Sequence, residues 1–129
     1  MPLPPETLRA TDIFLEEIYP HSETLGKQLA KVGIRKAQIR KFENLVSSTP
    51  RFSEILNFIK NQAGKEKERD QKWRLVAEEM LAQLAQIEEQ AQALGRGDSA
   101  DSLALKLRLV RGWARQIVAH YLYSVPEDE

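Results

Sequence analysis

The chain has 129 residues, enough for one hydrophobic core, so a single domain over residues 1–129 is expected. It contains no cysteine, which excludes disulfides and thiolate metal ligands, and its 19 basic and 19 acidic residues cancel to zero net charge. No run of apolar residues is long enough to cross a bilayer, and Met1-Pro2-Leu3-Pro4-Pro5 lacks the character of a signal peptide, so a cytoplasmic setting without membrane contact is expected.

Every periodic segment has the period of a helix, and no strand candidate emerges. Residues 1–6 are expected to be flexible. A short first helix is predicted from Thr7 to Tyr19, with Leu8, Ile13, Leu15 and Ile18 as apolar positions and Pro20 as its stop. Ser22 is a candidate cap for a second helix that buries Leu25, Leu29 and Val32 before Gly33 breaks it. A third helix, Arg35 to Ser47, places Ile39, Phe42 and Val46 on one stripe. Ser47-Ser48-Thr49-Pro50 reads as a loop, with Pro50 suited to the start of the next helix, which Phe52, Ile55, Leu56 and Ile59 line until Gly64 weakens it.

The charged segment Lys65 to Asp70 is expected to be solvated. After it comes the clearest pattern in the chain: Trp73, Val76, Met80, Leu84, Ile87, Ala91 and Leu94, spaced for a long amphipathic helix. Glycines at 95 and 97 end it, and Asp98 or Ser99 can cap the last helix, predicted from Asp101 to Tyr123. Its expected stripe is Leu103, Leu107, Val110, Ala114, Ile117 and Tyr121, and residues 124–129 form an acidic tail. The predicted fold is all-α: a helical bundle of five or six helices, the last two longest.

Zero net charge conceals separated blocks. From Lys27 to Lys41 there are six basic residues and no acid, and from Lys27 to Arg74 thirteen Lys and Arg stand against five Asp and Glu. A local charge of that size makes a polyanion the first partner to consider. In the third helix Arg35, Lys36, Arg40 and Lys41 lie off the apolar stripe, with Gln38 among them, able to donate and accept at a phosphate or ribose hydroxyl. In the last helix Arg108, Arg111 and Arg115 recur at i, i+3, i+7, with Lys106 to one side and no acid between. These two faces are the candidate RNA-binding set, and such contacts position a backbone without reading bases. The competing reading pairs the last helix's arginines with Glu78, Glu79, Glu88 or Glu89. Trp113 falls off the predicted stripe and is expected to be half-exposed, either packing at the bundle edge or serving as a candidate subunit contact for self-association.

Nothing in the sequence points to chemistry. His21 and His120 have no HExxH or repeated ExxH spacing, the acidic pairs are adjacent, and Gly95-Arg96-Gly97 is too short for a phosphate loop. No catalytic residue, metal or cofactor is therefore expected, and the chain is read as not an enzyme. Two other binding functions fit the pattern: a helix-turn-helix DNA-binding protein with Arg35 to Val46 as its recognition helix, and a helical protein–protein module without nucleic acid.

Lys36-Ala37-Gln38-Ile39-Arg40-Lys41-Phe42 resembles a segment, roughly S/T-Q-[IL]-R-[KR]-F, of the Csm2-like small subunits of type III CRISPR effector complexes. Leu25 to Lys31, Asn61 to Lys65 and the helix from Trp113 to Tyr123 resemble that family in the same order. Ala37 stands where Ser or Thr is usual, and the connection before Trp73 is more charged. The resemblance implies an all-helical, non-catalytic subunit of an antiviral defence complex. Copies would stack along a ribonucleoprotein filament and hold guide and target RNA by their backbones, beside the other subunits. Gln38, Arg40 and Lys41 are the motif residues it carries onto this chain.

Overall fold

A computed structural model describes residues 3–65 and 72–125, which form five helices: α1 (Pro5–Val32), α2 (Lys36–Ser48), α3 (Phe52–Lys65), α4 (Lys72–Gly95) and α5 (Ser99–Ser124). No strand occurs among the described residues, and the fold is an all-α bundle. Most of the charged segment before Trp73 and the acidic end of the tail lie outside the described residues. At the start, Pro5 and Glu6 already belong to α1, and Leu3 packs against the core.

The largest departure from expectation is α1, a continuous helix of 28 residues with Pro20 inside it. A proline there removes the amide that the carbonyl four residues earlier needs, and crowds that carbonyl. Pro20 lies on an exposed side with Glu16 and Glu17, where water can serve the carbonyl. On the other side α5 holds the helix across the proline. Gln116 Nε2 donates to the Leu15 carbonyl at 3.1 Å, and its Oε1 lies 2.5 Å from the buried Ser22 hydroxyl. Ser22 is therefore not a cap but a buried contact, and α1, not one of the last two helices, is the longest. Packing overrides the local break signal.

Helices adjacent in sequence run antiparallel, so α1, α3 and α5 point one way and α2 and α4 the other. Thr11 meets Arg108 and Tyr19 meets His120, which makes the α1–α5 pair parallel. Gln83 meets Trp113 and Gly95 abuts Ser102, fixing α4 antiparallel to α5. Val46 meets Arg111 and Ile34 meets Tyr121, which fixes α2 antiparallel to α5 in turn. At Gly26 the α1 and α5 backbones touch. A Cβ there would lie 2.6 Å from the Ile117 carbonyl oxygen and 3.0 Å from the Tyr121 nitrogen.

The stripes of α2, α3 and α4 are buried as their spacing predicts, with Leu56 and Leu94 at the edge of the core. In α5 the prediction fails in part. Leu103 is 40% exposed and Leu107 half-buried, while Leu105, Leu109, Trp113 and Val118 are buried. The reason is position: α5 packs on all four other helices, so burial extends around it rather than along one stripe. Trp113, expected to be half-exposed, is fully buried. Its Nε1 donates to Gln83 Oε1 at 2.8 Å, and its ring meets Phe42 edge-on at 6.1 Å. The buried Gln83 in turn donates to Glu79 at 2.9 Å and to the His21 carbonyl at 3.3 Å. A polar side chain in the core is tolerated because each end is bonded. Trp113 is therefore a core anchor and not a subunit contact.

Candidate nucleic-acid interface

The basic set divides by helix. On α5, Arg108 Nε donates to Thr11 Oγ1 at 2.9 Å, and its Nη2 lies 3.6 Å from Asp12. Arg111 Nε donates to the Val46 carbonyl at 3.2 Å and Nη2 to the Thr49 carbonyl at 3.1 Å. These carbonyls belong to the end of α2, where the helix leaves acceptors unpaired and the dipole is negative, so the guanidinium closes that end. Arg111, half-buried, is thus an interhelical fastener, while Arg108 also bonds α1 but keeps 44% of its side chain exposed. The competing expectation was also off target, because their partners are on α1 and α2 rather than the α4 glutamates. Lys106 reaches α4, at 3.6 Å from Glu88, while Arg115 is exposed.

Around α2 the cations point outward. Helix α1 ends at Gly33, whose φ of 92° is the left-handed conformation that glycine adopts without penalty. The Gly33 amide donates to Ala30 O and the Ile34 amide to Leu29 O, each at 3.2 Å, a closed helix end with Ile34 turned inward over Leu29. The Tyr121 hydroxyl donates to the Ile34 carbonyl and ties the turn to α5. Arg35 then leads into α2, and Gln38 Oε1 accepts from the Arg35 amide at 3.4 Å. Gln38 therefore serves its own helix start instead of standing free. Arg40 pairs with Glu43 at 2.9 Å. Lys31, Arg35 and Lys41 are exposed and Lys36 is half-buried, and among the described residues none of the four makes an ion pair.

The alternating helix directions collect these charges at one end of the bundle. The last turns of α1 and α3 and the first turns of α2 and α4 meet there. They bring together Lys31, Arg35, Lys36, Lys65, Lys72 and Arg74, with no acid in those turns. The opposite end carries Glu6, Glu54, Asp98 and Asp101 with Arg51 and Arg96. Lys31, Lys65, Lys72 and Arg74 were not among the predicted site residues. The signal that could have found them is topological: basic residues at the ends of successive antiparallel helices share one end of a bundle.

Elsewhere, the Tyr19 hydroxyl bonds His120 Nε2 at 2.6 Å, and His21 is exposed beside a groove between α1 and α4. Among the described residues there is no group of three or more His, Cys, Asp or Glu placed to hold a metal ion. No described helix is long and apolar enough to cross a membrane. No family model, curated protein or solved structure matches the chain.

Proposed function

We propose that this chain is a non-catalytic small subunit of an RNA-guided ribonucleoprotein complex, of the type III CRISPR kind. It holds guide and target RNA by their backbones and stacks with neighbouring subunits. The observation that supports this reading is the basic end, where Lys31, Arg35, Lys36, Lys65, Lys72 and Arg74 gather without an acid in the same turns. Such a surface suits phosphates and reads no bases. Lys41, exposed on α2, extends it along the helix. The family assignment rests on the sequence resemblance around Gln38, Arg40 and Lys41, of which Lys41 alone is both exposed and outside an ion pair or cap. Trp113 gives stacking no support; exposed Ile13 and Leu75 are apolar groups left for a neighbour.

The test is charge reversal at Arg35 and Lys41 together, read by RNA binding of the free chain and by its incorporation into a complex. Affinity should fall tenfold or more, equally for RNAs of different sequence, and the dependence on salt should become shallower. Unchanged RNA binding by a folded variant would reduce the basic end to ordinary surface. A preference for one duplex DNA sequence at matched salt would favour the helix-turn-helix reading instead.

A further inference from the structure

Helices α1 and α4 lie side by side in opposite directions, with a groove of about 420 Å³ between them. Leu25, Val76 and Gln83 are buried in its floor, and His21, Leu75 and Glu79 stand exposed at its rim. We propose that this groove docks a basic amphipathic helix of a partner protein, with apolar side chains at its ends and Lys or Arg between them. The site runs along the side of the bundle, and the proposal stands whether or not the chain binds RNA.

Charge sets the first requirement on the partner. Helix α4 carries four glutamates and no Lys or Arg from Leu75 to Gly95. Helix α1 carries Asp12, Glu16, Glu17 and Glu23 and no Lys or Arg from Ala10 to Gly26. Three of these acids have a cation nearby: Asp12 has Arg108, Glu23 has Lys27 and Glu88 has Lys106. Glu16, Glu17, Glu78, Glu79 and Glu89 make no ion pair among the described residues. The surplus of acid belongs to the two helices themselves and does not depend on the residues between α3 and α4. It favours a cationic partner and disfavours a nucleic acid on this side.

Exposed apolar groups set the second requirement. The two helices repeat one pattern, Ile13-Glu17-His21 on α1 and Leu75-Glu79-Gln83 on α4, at steps of four and so along one helix side. Ile13 is 60% and Leu75 62% exposed. The patterns meet where Gln83 Nε2 donates to the His21 carbonyl at 3.3 Å. Because the helices are antiparallel, Ile13 and Leu75 lie eight residues to either side of that bond, about 24 Å apart along the groove. Glu17 and Glu79 fall between them. A helix of about four turns spans that distance, with apolar groups over Ile13 and Leu75 and cations over the two carboxylates. Gln83 is also bonded to Trp113 and Glu79, so both walls are anchored in the core and lose little freedom on docking.

The test uses the full chain and synthetic peptides of about 18 residues, long enough to span the groove as a helix. One peptide sets Leu and Lys at helical spacing on an Ala background. A second has Glu for each Lys, and a third has Ser for each Leu. Binding is measured by calorimetry, and the chain alone is examined by sedimentation. The Leu–Lys peptide should bind at least about tenfold more tightly than either relative, because the site needs both charge and apolar contact. Leu75→Arg should weaken that binding about tenfold or more, and Glu17→Gln with Glu79→Gln by a similar factor. Leu103→Arg, on α5, should leave it unchanged. Glu79→Gln keeps an oxygen for Gln83, and Leu75 is exposed, so melting temperatures should hold. Should Glu79→Gln lower the melting temperature, Glu17→Gln with Leu75→Arg carries the test. Equal binding of the Leu–Lys and Ser–Lys peptides would reduce the acids to a diffuse field and overturn the groove. Binding that survives Leu75→Arg would place the peptide elsewhere, and no binding of any peptide would remove the site. If the chain alone forms dimers that Leu75→Arg returns to monomers, the occupant is a second copy and the foreign helix is wrong.

Discussion

Helices α2 and α5 carry similar strings of cations in sequence and use them in opposite ways. Helix α5 packs on four helices, so its Arg111 is half-buried against two carbonyls at the end of α2, and Arg108, though still exposed, bonds a threonine and lies beside an aspartate of α1. Among the described helices α2 packs on α5 and α3, and its outer side leaves Arg35 and Lys41 exposed. A run of arginines without intervening acids is thus not yet a binding face. The position of the helix in the bundle decides whether those charges fasten the fold or address a partner.

The sharpest way to break this contrast is to empty the centre around α5. Trp113→Ala removes a fully buried indole and leaves Gln83 Oε1 without its donor, so stability should drop by about 3–5 kcal/mol in urea unfolding. A smaller loss would mean that Trp113 faces outward in solution. Next comes Arg111→Met, which keeps the apolar stem and strands the carbonyls of Val46 and Thr49. It should cost about 1–3 kcal/mol while leaving RNA affinity unchanged. Its counterpart Lys41→Gln should do the reverse, shifting stability by no more than about 0.5 kcal/mol while weakening RNA binding.

The smallest effect concerns the joint that Arg111 closes. The Thr49 hydroxyl, whose residue gives Arg111 its carbonyl, donates to Glu54, and Arg51 bonds the same carboxylate at 3.0 Å. The Thr49 hydrogen bond first, and Arg51 second, hold the Glu54 pKa below its ordinary 4.5. A lowered folded value means that this stabilisation is complete above the unfolded pKa and is lost as pH falls through the folded one. Urea midpoints should therefore decline below about pH 4.5 in the parent, and less steeply in Glu54→Gln.

How far the sequence could be read followed from where each residue's partner lies. The stripes of α2, α3 and α4 were legible because each of these helices buries one side, and apolar spacing reports a side. Pro20 misled because its cost depends on which side faces water, and no local rule contains that. Leu103 and Trp113 were misplaced because a central helix has no single buried stripe to find. Arg111 was misread for a different reason: a sequence displays acids as possible partners but not the unpaired carbonyls at a helix end. Gln38 was within reach, since a glutamine three residues after a helix start is a known way to satisfy the amide there. Of the basic end, the α2 portion was visible as a charge run, while Lys65, Lys72 and Arg74 joined it only through topology.

The seam at Gly26 also sets an order of events during synthesis. Ser22 and Gln116 are 94 positions apart, and Tyr19 and His120 are 101, yet these contacts belong to the α1–α5 pair, whose backbones touch at Gly26. Helix α1 leaves the ribosome long before α5, and its buried side, with Ile18, Leu25 and Leu29, has no α5 to cover it in the interval. Contacts this distant in sequence raise the contact order above that of a simple helical hairpin stack and slow closure of the core. Closure of the core is therefore expected only after α5 has been made, with the nascent α1 depending on transient cover until α5 arrives beside it.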